Sequence, residues 1–217
     1  MVTIRMFTVL LLGLVVSGCG ASEISMRNAS LHPGGVEAMP EPAAVPRSVD
    51  VRNIRVSVPA ELKVSEANMY LPAGDIVWRE DPLGDRHAQV KAIFETAMQR
   101  GVDALPHGQV PVDLNIEVTR FHALSEKARY TVGGRHTLHF VMQLSDPETG
   151  APYGPPRAIK ANLKALGGQT ALEAESKGIT QKVRITEHLA QVIGEELAGQ
   201  ASQTTAARGL FGIKTRL

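Results

Sequence analysis

The sequence predicts an α+β domain: a four-stranded, mainly antiparallel sheet with two helices on one face, in the order β-α-β-β-β-α. Three observations predict it. Four segments alternate apolar and polar residues with period two, two others carry apolar residues at three- and four-residue spacing, and one such series without an internal repeat fills residues 50–199.

The first strand is Ile54, Val56 and Val58 alternating with Arg55 and Ser57, until Pro59 ends the run. A helix follows, with Val90, Ile93, Phe94, Ala97 and Met98 on one stripe between Asp85 as N-cap and Gly101 as C-cap. The second strand is the clearest, Val112, Leu114, Ile116 and Val118 alternating with Asp113, Asn115, Glu117 and Thr119. A longer connection ends at Gly133 and Gly134. In the third strand Leu138, Phe140, Met142 and Leu144 alternate with Thr137, His139 and Gln143, with Val141 breaking the polar side. Pro147 and Gly150 in the run Asp146-Pro147-Glu148-Thr149-Gly150 suit a tight turn, so the fourth strand, Ile159 to Ala165 on alternate positions, returns antiparallel. Thr170 and Glu173 form a capping box for the second helix, whose stripe of Ile185, Leu189, Val192 and Ile193 stops at Gly199, with Gly178 splitting or kinking it. Each strand has one apolar face, which places both helices on that side of the sheet.

Around this domain (49–200) the chain divides into residues 1–18, 19–48 and 201–217. Arg5 is the single charge of a short leader, and residues 6–16 are apolar apart from Thr8 and Gly13. This is a signal peptide; a spanning helix needs about 20 apolar residues. Val16-Ser17-Gly18-Cys19 resembles the lipobox of bacterial lipoproteins, and the resemblance implies acylation of Cys19, the only thiol. Several acyl chains hold firmly where one holds marginally. Gly20 stands where an aspartate would resemble an inner-membrane retention signal, so the expected location is the outer membrane, periplasmic face. Residues 21–48 carry Pro33, Gly34, Gly35, Pro40, Pro42 and Pro46 without apolar periodicity and read as a tether, reaching roughly 30 Å as a coil and about 90 Å extended. Residues 201–217 read as a flexible tail mixing Leu210, Phe211, Ile213 and Leu217 with Arg208, Lys214 and Arg216.

The balance of 23 basic and 22 acidic residues lacks the positive excess that neutralising nucleic-acid phosphates requires, so no nucleic-acid partner is expected. One cysteine excludes an intrachain disulfide and a multi-thiolate metal site. His136 and His139 lie three apart on a strand and point to opposite faces, so they cannot chelate one ion, and no metal or cofactor is expected. Asp113 and Glu117 share a face at about 13 Å, too far apart for a glycosidase pair, and read as solvated. Glu173, Glu175, Glu195 and Glu196, with Lys182, Arg184 and Glu187, read as helix surface. A nucleophile elbow, a P-loop and a Rossmann glycine pattern are all missing.

The segment 120–136 is different. It mixes Arg120, His122, Lys127, Arg129, Tyr130 and Arg135 with one acid, Glu126. Such a cluster can hold a phosphate, a carboxylated glycan or an acidic protein surface. Alternatively, its arginines pair with acids elsewhere, such as Glu80 and Asp81. Trp78, the only tryptophan, is either a core anchor or a contact residue beside Arg79. The candidate partner contacts are therefore Trp78, Arg79, Arg120, His122, Arg129, Tyr130 and Arg135.

Three words of the sequence, Trp78-Arg79-Glu80-Asp81-Pro82, Arg120-Phe121-His122-Ala123-Leu124 and Ala128-Arg129-Tyr130-Thr131-Val132-Gly133-Gly134, resemble a group of alphaproteobacterial lipoproteins of unknown function. The order of elements also resembles the auxiliary lipoproteins of envelope ABC-type lipid transporters, at the level of fold. The expected function is that of a lipid-anchored envelope accessory or binding protein without catalytic activity, with a protein or lipid partner. The alternative is a lipoprotein hydrolase acting on an envelope component.

Overall fold

Period-two alternation in this chain builds a sheet whose apolar side is roofed by two long helices. The computed structural model describes residues 48–209, with side chains through residue 199. Cys19, the leader, most of the tether and residues 210–217 lie outside the described residues. The elements are β1 (Val49–Ser57), β2 (Ile76–Val77), α1 (Arg86–Asp103), β3 (Val110–His122), α2 (Glu126–Arg129), β4 (Gly134–Ser145), β5 (Pro152–Lys160), β6 (Leu163–Ala165), α3 (Gln169–Ser176) and α4 (Gln181–Gly209).

The α+β class holds, but the sheet has six strands and mixed directions. Its central order is β1-β3-β4-β5, with β2 added beside β3 and β6 beside β4. Both β1 and β2 run parallel to β3, whereas β3-β4, β4-β5 and β4-β6 are antiparallel. The parallel β1-β3 pair follows from α1, which returns the chain to the starting end before β3 begins. β5 and β6 together make the fourth expected strand. His139 faces Lys160 and His136 faces Leu163 in the same register, and between the two pairings Asn162 Oδ1 accepts the Leu138 N–H at 3.2 Å.

Val112, Leu114, Val118, Leu138, Phe140 and Met142 of the sheet share one core with Val90, Phe94 and Met98 of α1 and Ile185, Leu189 and Ile193 of α4. Both long helices thus cover the apolar face, as the alternation demands. Phe94 is the hub, edge-on to Phe121 and to Phe140.

Some expected helix boundaries are corrected. Asp85 does cap α1, accepting the Ala88 N–H at 3.1 Å, but α1 runs past Gly101 to Asp103. Gly101 is there for close approach: a Cβ would collide with Ile193 Cγ2 and the Ala190 carbonyl of α4. Thr170 and Glu173 form no capping box, because the N-cap of α3 is Gly168 and the Thr170 hydroxyl donates back to the Gly167 carbonyl at 2.7 Å. Gly178, at φ 76°, divides α3 from α4. Gly199 does not stop α4, which continues to Gly209, so the first part of the expected tail is helical.

The opposite face of the sheet is polar. Asp113, expected in solvent, is 2% exposed, because Asn53 donates to it at 2.7 Å and Arg55 pairs with it at 2.6 Å. Glu117 on the same face is exposed.

Candidate functional site

The strand directions gather the chain's irregular segments at one end of the sheet. β1 and β3 begin together, Val49 opposite Val110, so the chain enters the domain at the end away from Phe121, where β3 meets β2. At this far end the 58–75 segment, α2 and the turn before α3 meet. Ser125 donates from Oγ to the Met69 carbonyl at 2.7 Å, the Lys127 N–H donates to Asn68 Oδ1 at 2.7 Å, and the Gly168 N–H donates to the Arg129 carbonyl at 2.9 Å. Gly133 and Gly167 touch backbone to backbone, leaving no room for a side chain at position 167.

The expected long loop at 120–136 is mostly regular structure. β3 runs on to His122 through a bulge between Val118 and Arg120, and Ser125 caps α2, accepting the Ala128 N–H at 3.3 Å. β2, which is not among the four expected strands, holds the end of β3 in place. Its signal was the run Ile76-Val77-Trp78 between Asp75 and Arg79.

Two networks of charge fill this end. Arg129, 8% exposed, pairs with Glu80 at 3.0 Å and Glu175 at 2.5 Å. Glu80 also accepts the Lys182 backbone N–H at 3.1 Å, at the start of α4, while Lys182 Nζ binds Asp81 at 2.8 Å. In the second network Arg86, 5% exposed, holds the Glu66 carboxylate with two bonds, at 2.6 and 3.1 Å, and donates to Gln89 and to the carbonyls of Asp81 and Pro82. Arg79 bridges Glu66 and Glu126. The Arg86 hydrogen bond lowers the Glu66 pKa from the usual carboxylate range. Burial acts to raise Asp81, yet the hydrogen bonds from Lys182 and Trp78 leave it lowered.

These contacts correct several sequence readings. Trp78 is fully buried, edge-on to Phe121 at 5.6 Å with its indole N–H donating to Asp81 at 2.8 Å, so it is a core anchor and not a partner contact. Arg129 is likewise internal, paired with one of the acids the alternative reading named. Arg79 is occupied by Glu66 and Glu126. Glu175 and Lys182, read as helix surface, belong to the network, while Arg184 donates to the Lys164 carbonyl at 3.0 Å and Glu196 pairs with Arg157. The sequence names Glu80 and Asp81 as acids for these arginines, but it offers no rule for choosing Arg129 over Arg120 or Arg135, or for adding Glu175 and Lys182 to the network.

The other candidates do not converge with them. Arg120 contacts His122 Nδ1 at 3.1 Å and lies 3.8 Å from Asp75. Half-buried His122 has its pKa lowered by burial and by Arg120. Tyr130 is exposed, its hydroxyl donating to Glu175 at 3.3 Å. Arg135 is exposed and makes no ion pair among the described residues. The far end also exposes apolar side chains that are not among the expected contacts: Leu71 at 86% and Val132 at 75%, with Met69, Tyr70 and Leu172 near half. Lys127 lies over the Tyr70 ring at 4.8 Å. The run Met69-Tyr70-Leu71 between polar stretches was the available signal, but without a period it does not distinguish core from surface.

His136 packs with the apolar set at 1% exposure, and burial with Arg184 and Arg129 nearby depresses its pKa to about 3. His139 sits on the other face, half-buried. Among the described residues no three His, Cys, Asp or Glu side chains gather to hold a metal ion, and no helix is long and apolar enough to cross a membrane.

A family model matches residues 49–213, more than three quarters of the chain. The chain belongs to the family of unknown function DUF6778. No curated protein matches it. Similar solved structures include a DUF330 family protein from Xanthomonas campestris, 10% identical over 77% of this chain and 95% of that one, with a TM-score of 0.43. A Caulobacter crescentus CB15 protein, provisionally described as a lipoprotein, is 13% identical over 52% of this chain and 83% of its own, at 0.32. A PelC variant dodecamer from Paraburkholderia phytofirmans is 16% identical over 69% and 92%, at 0.26.

Proposed function

We propose that this DUF6778 protein is a lipid-anchored accessory protein of the cell envelope that binds a partner and catalyses nothing. Acylated Cys19 holds it on the periplasmic face of the outer membrane, and it serves an envelope transport or assembly system as an auxiliary subunit. The anchor rests on the lipobox resemblance at the end of an apolar leader of secretory length.

The observation that carries the binding reading is the exposed apolar group at the end of the sheet away from Ser48. Leu71 and Val132 stand out from segments joined through α2: Ser125 and Lys127 bond Met69 and Asn68 of 66–72, and Tyr130, which follows α2, bonds Glu175 of α3. A clustered set of exposed apolar side chains marks an interaction surface more often than a solvated one. Because the chain enters at the other end, this surface faces away from the tether's point of attachment. Arg120, His122, Tyr130 and Arg135 are the polar contacts left to it once Trp78, Arg79 and Arg129 are assigned to internal structure.

Photo-crosslinking residues placed at Leu71 and Val132 in intact cells should give a discrete adduct, whereas the same residue at exposed Glu95 on α1 should give none. Adducts from Glu95 alone, or equally from all three, would remove this surface from consideration. Labelled palmitate should mark the wild type and not Cys19→Ala; label retained by the variant would remove the anchor.

A further inference from the structure

Beneath the exposed surface, between β4, α3 and the first turn of α4, lies a small pocket lined by His136, Gln181, Glu175, Arg129, Arg184 and Ala171. It leaves about 10 Å³ for the centre of a water-sized sphere. That admits a single water and nothing as large as a substrate group. Its lining is nevertheless polar. His136 Nδ1, Gln181 Oε1 and Glu175 Oε1 are buried without a hydrogen-bond partner among the described residues, and His136 and Gln181 are 1% and 5% exposed. Glu175 Oε1 lies 2.5 Å from an Arg129 nitrogen, but as an ion pair and not an aligned hydrogen bond. Leaving a buried polar atom unpaired costs about 1–3 kcal/mol.

The charges around the pocket select its occupant. A cation there would face two guanidinium groups, those of Arg129 and Arg184. An anion would face the Glu175 carboxylate and the Gln181 carbonyl oxygen. A neutral molecule with two donors meets neither penalty.

We infer that the pocket binds one water molecule, which donates to Gln181 Oε1 and Glu175 Oε1 and accepts from the His136 Nδ1–H. The water ties β4, α3 and α4 together across the end of the sheet. This assignment also determines a tautomer. Two water hydrogens cannot satisfy three acceptors, so Nδ1 of His136 carries the ring proton. Over the neutral range the ring is uncharged, since burial and Arg184 hold its pKa near 3, and it therefore has one N–H to place. Turning the Gln181 amide end for end gives the competing arrangement: its Nε2 becomes the donor facing the pocket, and the ring proton of His136 sits on Nε2.

The two arrangements are separated by a long-range proton–nitrogen spectrum of the full-length chain with labelled histidine at pH 7. The Nδ1–H pattern at His136 is expected, and the Nε2–H pattern overturns the assignment. Oxygen-17 relaxation dispersion counts long-lived internal waters, and Ala171→Val, which fills the pocket, should remove one. An unchanged count overturns the proposal. Should Ala171→Val fail to fold, a water-to-ring cross-relaxation peak at His136 in the wild type supplies the second readout, and its absence is equally decisive. A melting temperature that rises in sodium chloride but not in choline chloride, and no longer does so in Gln181→Met, would assign the pocket to a cation and overturn the water.

Discussion

Two buried regions of this domain are stabilised by different physics. The seam between α1 and α4 is apolar: Gly101 lets α1 approach Ala190 and Ile193 of α4 until backbone nearly meets side chain, and Ile93, Phe94 and Leu189 fill the rest. The far end, 129–182, is polar, with Arg129, Glu80, Glu175, Lys182 and Asp81 satisfying one another. The seam depends on volume, the far end on charge balance. Each therefore fails in its own way: the seam to added bulk, the network to the loss of one partner.

The largest effect is expected from bulk in the seam. Gly101→Val places a branched side chain where a single Cβ already collides with backbone, so the helices must separate. Destabilisation of about 4 kcal/mol or more is expected, read as lost cooperative melting. A variant melting within a few degrees of wild type would show that the seam is slack. Arg129→Ser tests the network. It leaves Glu80 and Glu175 facing each other without their shared cation, and about 3 kcal/mol should be lost in denaturant unfolding. An unchanged midpoint would mean the carboxylates find water, and the far end would then be as open as a surface.

The pH dependence divides the regions further. His136 keeps its ring neutral in the folded state down to about pH 3, while in the unfolded chain it protonates near its ordinary 6.5. Its stability contribution is therefore complete above 6.5 and lost as pH falls through that window, by a few kcal/mol at the acid limit. His122 and His139 are also lowered by burial and act in the same direction. The lowered carboxylates Glu66, Asp81 and Glu126 add their loss only below the carboxylate range. Between pH 6.5 and 5 the unfolding free energy should fall in the wild type and fall less in His136→Gln; identical slopes would show that the ring titrates normally. The smallest effect on stability is expected at Arg135, exposed and without an ion pair among the described residues. Arg135→Ser should leave the melting temperature nearly unchanged, within about 0.5 kcal/mol, while weakening partner capture, increasingly so as salt falls. Destabilisation without weaker capture would give Arg135 the internal role that Arg129 has.

Arg129 and Arg135 also show where sequence reasoning stops. Six residues apart, of the same type, in the one segment 120–136, they read alike; yet one is sealed between two carboxylates and the other faces solvent. Strands could be read because alternation reports a face within a few residues, and β3 needs only its own sequence to separate Val112 and Leu114 from Asn115 and Glu117. The capping aspartate Asp85 and the turn at Asp146, where Oδ1 accepts the N–H of Glu148 and Thr149, could be read for the same reason. Gly101 could not: a glycine after an apolar stripe signals a helix end, and only α4, ninety residues later, makes it a point of contact.

The sequence by itself determined the α+β class, the apolar faces, both long helices and the break at Gly178, because each is dictated by contacts within a turn or a strand. The parallel placement of β1, the pairing of residue 129 with 80 and 175, the burial of Trp78 and the exposure of Leu71 and Val132 were decided by tertiary structure. A charge or an aromatic ring is indifferent to its local period; what it meets depends on which distant segments the sheet brings to the same end.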